Sequence, residues 1–249
     1  MRVLIIGESC YDVFIYGDVE RLAPEAPVPI LQKLQMVTNA GMASNVANNL
    51  RRMGCEVTLH TNEGWQSITK TRYVEDKSNH IFLRVDDEER GYGRCSLRHV
   101  RIEDYDCIII SDYNKGWLSP SQIEEIGRRA KLSILDTKKI LGAWALPISY
   151  IKINENEYHR TQDVLTPEIV EKLIVTLGPR GAMYHGQIFS APDVHRIDSC
   201  GAGDTFVAGL AFKLMQSGKI DEAINHANQC ASQVIKTRGV GTLQEGLGG

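Results

Sequence analysis

With 249 residues, 43% of them hydrophobic and 24% charged, the chain has the composition of a packed globular protein and the length of one α/β domain, which excludes disordered and fibrous classes and a pair of full-sized domains. A net charge of −3 offers no long-range attraction to nucleic acid or an anionic membrane, so neither is expected as a partner and any anionic ligand must be held by local groups. No apolar run reaches bilayer length, Met1-Arg2 leads into an apolar stretch too short for a signal sequence, and the six cysteines show no C-x-x-C or zinc spacing; reduced thiols and a cytoplasmic location are expected.

Val3 to Ile6, a continuous apolar run closed by Gly7, predicts a buried parallel strand opening an α/β fold. Val13 to Val37 differs in kind. Its alternation and the turn-rich Ala23-Pro24-Glu25-Ala26-Pro27-Val28-Pro29 predict short antiparallel strands and loops outside the main sheet. A helix is predicted from Ala43 to Met53, with Val46, Ala47, Leu50 and Met53 at core spacing and Gly54 as its stop, followed by a parallel strand over Val57 to His60. Thr69 to Val74 and His80 to Val85 alternate with period two and are expected to pair with the early excursion. Lid strands drawn from about 13–37 and 69–90 would then form a small sheet over one end of a single domain, 1–249. The charged run Asp86-Asp87-Glu88-Glu89-Arg90 reads as a solvated turn.

From Cys107 the alternation of strand and helix returns. Strands are predicted over Cys107 to Ser111, Ser133 to Asp136 and Tyr150 to Ile153, with a helix from Pro120 to Ala130 behind Ser119 as N-cap. Ile174 to Leu177, Ala182 to His185 and Gln187 to Ser190 add later strands, and two helices close the chain at about Gly203 to Ser217 and Asp221 to Thr237.

Four segments carry candidate chemistry. Asp198-Ser199-Cys200-Gly201-Ala202-Gly203-Asp204 opens an apolar helix, where glycines turn successive N–H groups to one point and the helix terminus adds positive charge, a design for an anion such as phosphate. The plainer reading is an N-cap behind a glycine turn. Ala40-Gly41-Met42-Ala43-Ser44-Asn45 opens a second helix, whose Asn45 amide either meets sugar hydroxyls or is merely solvated. Asn154-Glu155-Asn156-Glu157 follows a strand at the end where ligands gather in parallel sheets; it either organises Mg²⁺ through water or simply starts a helix. Thr176-Leu177-Gly178-Pro179-Arg180-Gly181 either touches nucleotide phosphate or makes a hairpin.

In this order the four segments resemble the ribokinase-like (PfkB) carbohydrate kinase family, with its Gly-Gly-x-x-x-Asn helix start and Asp-Thr-x-Gly-Ala-Gly-Asp anion hole. The resemblance runs from Arg2 to Thr242. Within the family it is greatest to the heptose 7-phosphate kinases of ADP-heptose synthesis, on Tyr11-Asp12, Tyr16-Gly17-Asp18, Pro24 to Pro29, Ser111-Asp112-Tyr113-Asn114-Lys115-Gly116 and Asp136-Thr137-Lys138. It implies a Rossmann-type three-layer α/β/α sandwich with a small β lid, the lid forming a homodimer interface.

The resemblance also implies ATP and Mg²⁺, with a monovalent cation such as K⁺ near Asp198 and Arg238 to Thr242, and it assigns roles. Asp204 is the catalytic base and Gly201, Ala202 and Gly203 the anion hole; Asp12, Gly41 and Asn45 hold sugar hydroxyls. Lys138 and Arg72 face a phosphate on the substrate, Asn154 and Glu157 organise Mg²⁺ and phosphates, Thr176, Gly178 and Gly181 line the nucleotide site, and Asn228 lies by the adenine. Ala40 and Ser199 replace the family's Gly and Thr, and the chain is shorter than the family norm between His60 and Thr69 and between Tyr158 and Pro167. A nucleotidyltransferase domain after Thr242 is not expected. The expected reaction is phosphorylation of a sugar or sugar phosphate. The alternatives are another acceptor (a ketose, a ribose-like sugar or a nucleoside) and a non-catalytic binding descendant.

Overall fold

The computed structural model describes residues 1–88, 91–195 and 197–243. An eight-stranded sheet forms its centre, in the order β12-β11-β10-β9-β8-β7-β1-β4. Its parallel members are β1 (Arg2–Gly7), β4 (Glu56–His60), β7 (Cys107–Asp112), β8 (Ser133–Thr137), β9 (Tyr150–Asn154) and β10 (Leu173–Thr176). At one edge β11 (Ala182–Tyr184) and β12 (Gln187–Phe189) continue it antiparallel.

Period-two alternation on these apolar strands builds two cores. Val3, Ile5, Ile109, Ile134 and Ile174 face α1 (Ala43–Arg52), α5 (Ala202–Ser217) and α6 (Ile220–Val234). Leu4, Ile6, Ile108, Ile110, Leu135, Ile151 and Val175 face the other side, which α2 (Pro120–Arg129) and the short α4 (Pro167–Val170) cover. Helices on both faces of a mostly parallel sheet make the three-layer sandwich expected from the sequence. Ser119 caps α2 in a reciprocal capping box with Gln122. α3 (Glu155–Thr161) leaves β9 at the carboxyl end of the sheet.

The lid is a second sheet, β3-β2-β5-β6, in which the expected pairing with the early excursion is present and two features go beyond or against expectation. First, β2 (Ser9–Leu22) and β3 (Pro29–Met42) are one long antiparallel hairpin of 14 residues per strand, not several short strands, because the central sheet's apolar side chains hand over directly to the lid at Cys10 and Met42. Second, β5 (Thr69–Glu75) pairs with β2 in parallel, and β6 (Ile81–Asp87) closes the sheet antiparallel to β5. The acidic run is not a solvated turn throughout: Asp86 and Asp87 belong to β6, Asp86 pairs with Arg84, and Glu88 pairs with Lys115. Residues 89 and 90, the end of the expected lid range, lie outside the described residues. The connections 61–68 and 162–166 are short and hold one 3₁₀ turn each. The six cysteines are free, and among the described residues no helix is long and apolar enough to cross a membrane.

Gly181 closes the β10–β11 turn with φ 96°, and a Cβ there would lie 2.0 Å from the Phe189 carbonyl oxygen. Gly178 also has positive φ, 61°, but open space around it. Gly181→Ala should therefore cost about 3 kcal/mol, from left-handed strain plus forced repacking, and Gly178→Ala about 1 kcal/mol. Urea unfolding of the two variants checks the difference.

Candidate active site

At the carboxyl end of the sheet, Asp204 in the first turn of α5 is buried, and two side chains hold it. The Tyr113 hydroxyl, on the loop after β7, donates to Oδ1 at 2.7 Å, and the Asn45 amide, in the first turn of α1, donates to Oδ2 at 3.0 Å. Burial pushes the Asp204 carboxyl up to about 6, against the pull of these two hydrogen bonds toward the charged form. Tyr113 is itself oriented from behind: buried Glu8 accepts the backbone N–H groups of Tyr113 at 2.8 Å and Lys115 at 3.1 Å. Burial drives the Tyr113 phenol well above its ordinary range, so it remains a donor.

Gly201 precedes α5 with φ 80°, and a Cβ there would lie 2.8 Å from the Asn45 amide nitrogen. Glycine at this position is what allows α1 and the start of α5 to approach closely enough for the Asn45–Asp204 bond. The first-turn amides of a helix have no intrahelical acceptor and point along the positive end of its dipole, a cradle geometry able to receive an anion. The Ala202 N–H is partly engaged by the Ser199 carbonyl at 3.3 Å. Asp198 accepts N–H groups of Cys200 and Gly239, tying the segment after α6 to the cradle.

Two clefts meet here. The larger, about 890 Å³, is lined by Asn154, Thr176, Gly178, Gly181 and Asn228, which sequence reasoning assigned to the nucleotide, together with Ala202 and Gly203. The smaller, about 320 Å³, lies under the lid and is lined by Asp12, Arg72 and residues from the loops beneath. Tyr113, Lys138, Gly201 and Asp204 line both.

Several expected residues are engaged by protein partners, and three of them stand back from the cleft walls. Asn45 and Gly41 are buried behind the smaller cleft and line neither; Asn45 holds the Asp204 carboxylate, and Gly41 leaves room for Asp12, whose Oδ2 would lie 2.1 Å from a Cβ there. Arg72 is ion-paired with Asp12 at 2.5 Å. Glu157 also lies behind the cleft wall. Its Oε2 accepts the Asn154 N–H at 2.8 Å in a capping box that starts α3, and its Oε1 meets Lys138 Nζ at 3.2 Å. Asn228 donates to the Phe189 carbonyl at 2.7 Å.

Sequence reasoning gave no role to Tyr113, Glu8, Lys70 or the pair Lys152–Asp136. Lys152 Nζ lies 3.0 and 3.2 Å from the two Asp136 carboxylate oxygens, and it sits against the first turn of α5, 3.3 Å from where a Cβ on Gly203 would be. Burial opposes the Lys152 charge, but the carboxylates of Asp136 and Glu157 outweigh it and hold the ammonium protonated. A lysine in the middle of the otherwise apolar run Tyr150 to Ile153 was the available signal.

A model of the pfkB family of carbohydrate kinases matches residues 148–245. Curated relatives named bifunctional protein HldE align over nearly the whole chain. The one from Nitratiruptor sp. is 28% identical over 294 residues, covering 97% of this chain and 63% of the relative. That from Helicobacter pylori is 28% identical over 293 residues, covering 96% and 63%. The chain thus spans less than two thirds of the length of these relatives, and the alignments, longer than its own 249 residues, contain relatives' segments that it lacks.

Among solved structures, a ribokinase from Thermotoga maritima superimposes with TM-score 0.72 at 16% identity, covering 96% of this chain and 94% of that one. Phosphofructokinase-2 from Escherichia coli, solved in complex with potassium, gives 0.71 at 15%, covering 98% and 95%. At such identities these likenesses bear on the fold, which is ribokinase-like. Residues 148–245 thus match the pfkB family of carbohydrate kinases, and the chain as a whole is similar to the HldE relatives and has a ribokinase-like fold.

Proposed function

We propose that the chain transfers the γ-phosphoryl group of ATP to a hydroxyl of a sugar or sugar phosphate, a heptose-phosphate-like acceptor being favoured, with Asp204 as general base. The observation that carries this reading is the position of Asp204 where the two clefts meet. ATP fits the larger cleft and the acceptor the smaller, so that the attacking hydroxyl and the γ-phosphorus face each other across Asp204. The carboxylate takes the hydroxyl proton, the oxygen bonds to phosphorus and ADP leaves. In a loose phosphoryl-transfer transition state the protein acts by positioning and by stabilising spread charge. The amides of Gly201 and Gly203, the α5 dipole and the ammonium groups of Lys138 and Lys152 serve that purpose, with Ala202 contributing less because of its bond to Ser199.

Mg²⁺ would come with the nucleotide and neutralise its phosphates. Among the described residues no group of three or more acidic, histidine or cysteine side chains forms a metal cage, which suits an ion that keeps its waters and takes phosphate oxygens. Asp136, on the wall of the larger cleft, and Glu157, behind it, would hold its water shell. The heptose-phosphate preference comes from the HldE relatives, and the cationic lining of the smaller cleft supports it. A K⁺ ion near Asp198 is part of the same reading by analogy with the potassium complex of phosphofructokinase-2. A homodimer through the lid is a further part: edge strands β3 and β6 expose Leu34, Met36, Ile81, Leu83 and Val85, and a second copy would cover them. Sedimentation at micromolar concentration should give a dimer that Leu83→Lys dissociates; a monomer would contradict it.

Asp204→Asn keeps size and hydrogen-bonding reach but removes the base. Turnover should fall about 10²–10⁴-fold while calorimetry shows ATP affinity retained. A helix-capping role alone leaves turnover near normal, because Asn and Asp cap about equally well.

The ionised form of Asp204 is the base, so kcat/KM should fall tenfold per pH unit below about 6 and level off above it. The Tyr113 hydroxyl favours the charged form, and Tyr113→Phe should therefore move this acid limb to higher pH. A pH–rate profile of the two proteins tests the sign.

A further inference from the structure

We propose that Lys70 anchors a phosphate monoester on the acceptor, which makes the preferred acceptor a sugar phosphate rather than a neutral sugar; the proposal rests on the kinase reading above.

Five cationic side chains line the smaller cleft, and four of them have a carboxylate of their own. Arg72 pairs with Asp12, Arg84 with Asp86, Lys115 with Glu88 and Lys138 with Glu157, at 2.5 to 3.2 Å. Lys70 is the exception among the described residues. Its side chain comes from the first half of β5, the residue is 6% exposed, and it forms no ion pair; Asp86, its register partner on β6, attracts it from beyond ion-pair distance and is bound to Arg84. Its Nζ meets the Met42 thioether at 3.0 Å, lies beside the Cys10 thiol, and stands over the Tyr113 ring 5.2 Å from its centroid.

None of these contacts repays the desolvation of an ammonium. A thioether and a thiol are weak acceptors, and one aromatic face offers a fraction of what a carboxylate would. A methionine or leucine would fill the same inward-facing position between Thr69 and Thr71 without that cost. A buried ammonium with spare donors on a cleft wall is completed by an anion that enters the cleft.

The anion's place follows from which cleft Lys70 lines. It borders the smaller one and not the larger, so it addresses the acceptor rather than the phosphates of the nucleotide. Through the Tyr113 ring it is coupled to the chemistry. Lys70 and Lys138 both approach that ring, at 5.2 and 4.8 Å from its centroid, and the Tyr113 hydroxyl bonds Asp204. An acceptor held by its phosphate at Lys70 would therefore lie against the ring that carries the hydrogen bond to the base.

The test compares the unmodified chain with Lys70→Met and Lys70→Arg, using sedoheptulose 7-phosphate, sedoheptulose and inorganic phosphate as probes, without ATP. By calorimetry, Lys70→Met should bind the sugar phosphate about 10- to 100-fold more weakly, the loss of one charge-assisted hydrogen bond, and the neutral sugar as before. Lys70→Arg should keep most of the preference. Without ligand, Lys70→Met should melt at the same temperature or higher, because a buried charge with no ion pair has been removed, and it should lose the stabilisation that the phosphate probes give the unmodified chain.

A Lys70→Met protein that melts markedly lower overturns the proposal, since the fold then needs the lysine for itself. Equal weakening of both sugars overturns it, as does the absence of any stabilisation of the unmodified chain by a phosphate-bearing probe. Binding measured without ATP separates this proposal from the kinase reading. Failure to release ADP with any acceptor contradicts the kinase reading while the Lys70 preference stands. ADP release from neutral sugars that Lys70→Met leaves unchanged contradicts the Lys70 proposal while the kinase reading stands.

Discussion

A carboxylate buried where two clefts meet is the constraint on which the rest of the site depends. Burial acting unopposed would push the Asp204 carboxyl higher still, and its two hydrogen bonds draw it back toward the charged form. Each donor is held by a different part of the fold. Asn45 stands in the first turn of α1, and Asn49, one turn later, both bonds the Asn45 carbonyl at 2.9 Å and accepts the Leu243 N–H at 2.9 Å. Tyr113 is set by Glu8 at the end of β1. The strand order that brings β1 beside β7, and the packing of α1 on α5, are thus prerequisites for one side chain's chemistry.

Charge pairing organises what surrounds it. Asp12 with Arg72, Asp136 with Lys152 and Asp112 with Lys139 are all largely buried, and each pair keeps a charge from having to seek a partner elsewhere. Such pairs add little net stability over an apolar filling, but removing one partner leaves an expensive orphan. The site therefore tolerates many charges at low exposure while holding them in fixed positions. It is a preorganised environment suited to a reaction in which negative charge is redistributed rather than created.

The layers of the fold were legible because apolar strands are short, continuous and bounded by glycine or polar turns, as Val3 to Gly7 and Cys107 to Asp112 show. The glycine turn ahead of α5 was legible for a related reason: Gly201-Ala202-Gly203-Asp204 before an apolar helix has few structural uses. Other features depend on contacts distant in sequence. Nothing local marks Asn45 as the partner of a residue 159 positions away, and its amide chemistry suits a hydroxyl as well as a carboxylate. Glu157 carries a capping-box spacing and an acidic charge at once, and the structure uses it for the cap and for Lys138. The parallel pairing of β5 with β2 cannot be read from period-two alternation, which is the same for either direction. The inward charges of the lid were visible in part, since Lys70, Arg72 and Val74 share one face of β5, but their partners were not.

The account's central claim is that the two clefts bring a nucleotide and a sugar hydroxyl together at Asp204. The most direct test is release of ADP from Mg²⁺·ATP across a panel of sugars and sugar phosphates, with the product followed in parallel by ³¹P NMR. The account predicts acceptor-dependent ADP release matched one to one by a new phosphate ester, with a phosphorylated heptose among the best acceptors. ADP release no faster than the acceptor-free background with every member of the panel, from a protein that still binds ATP, would contradict it.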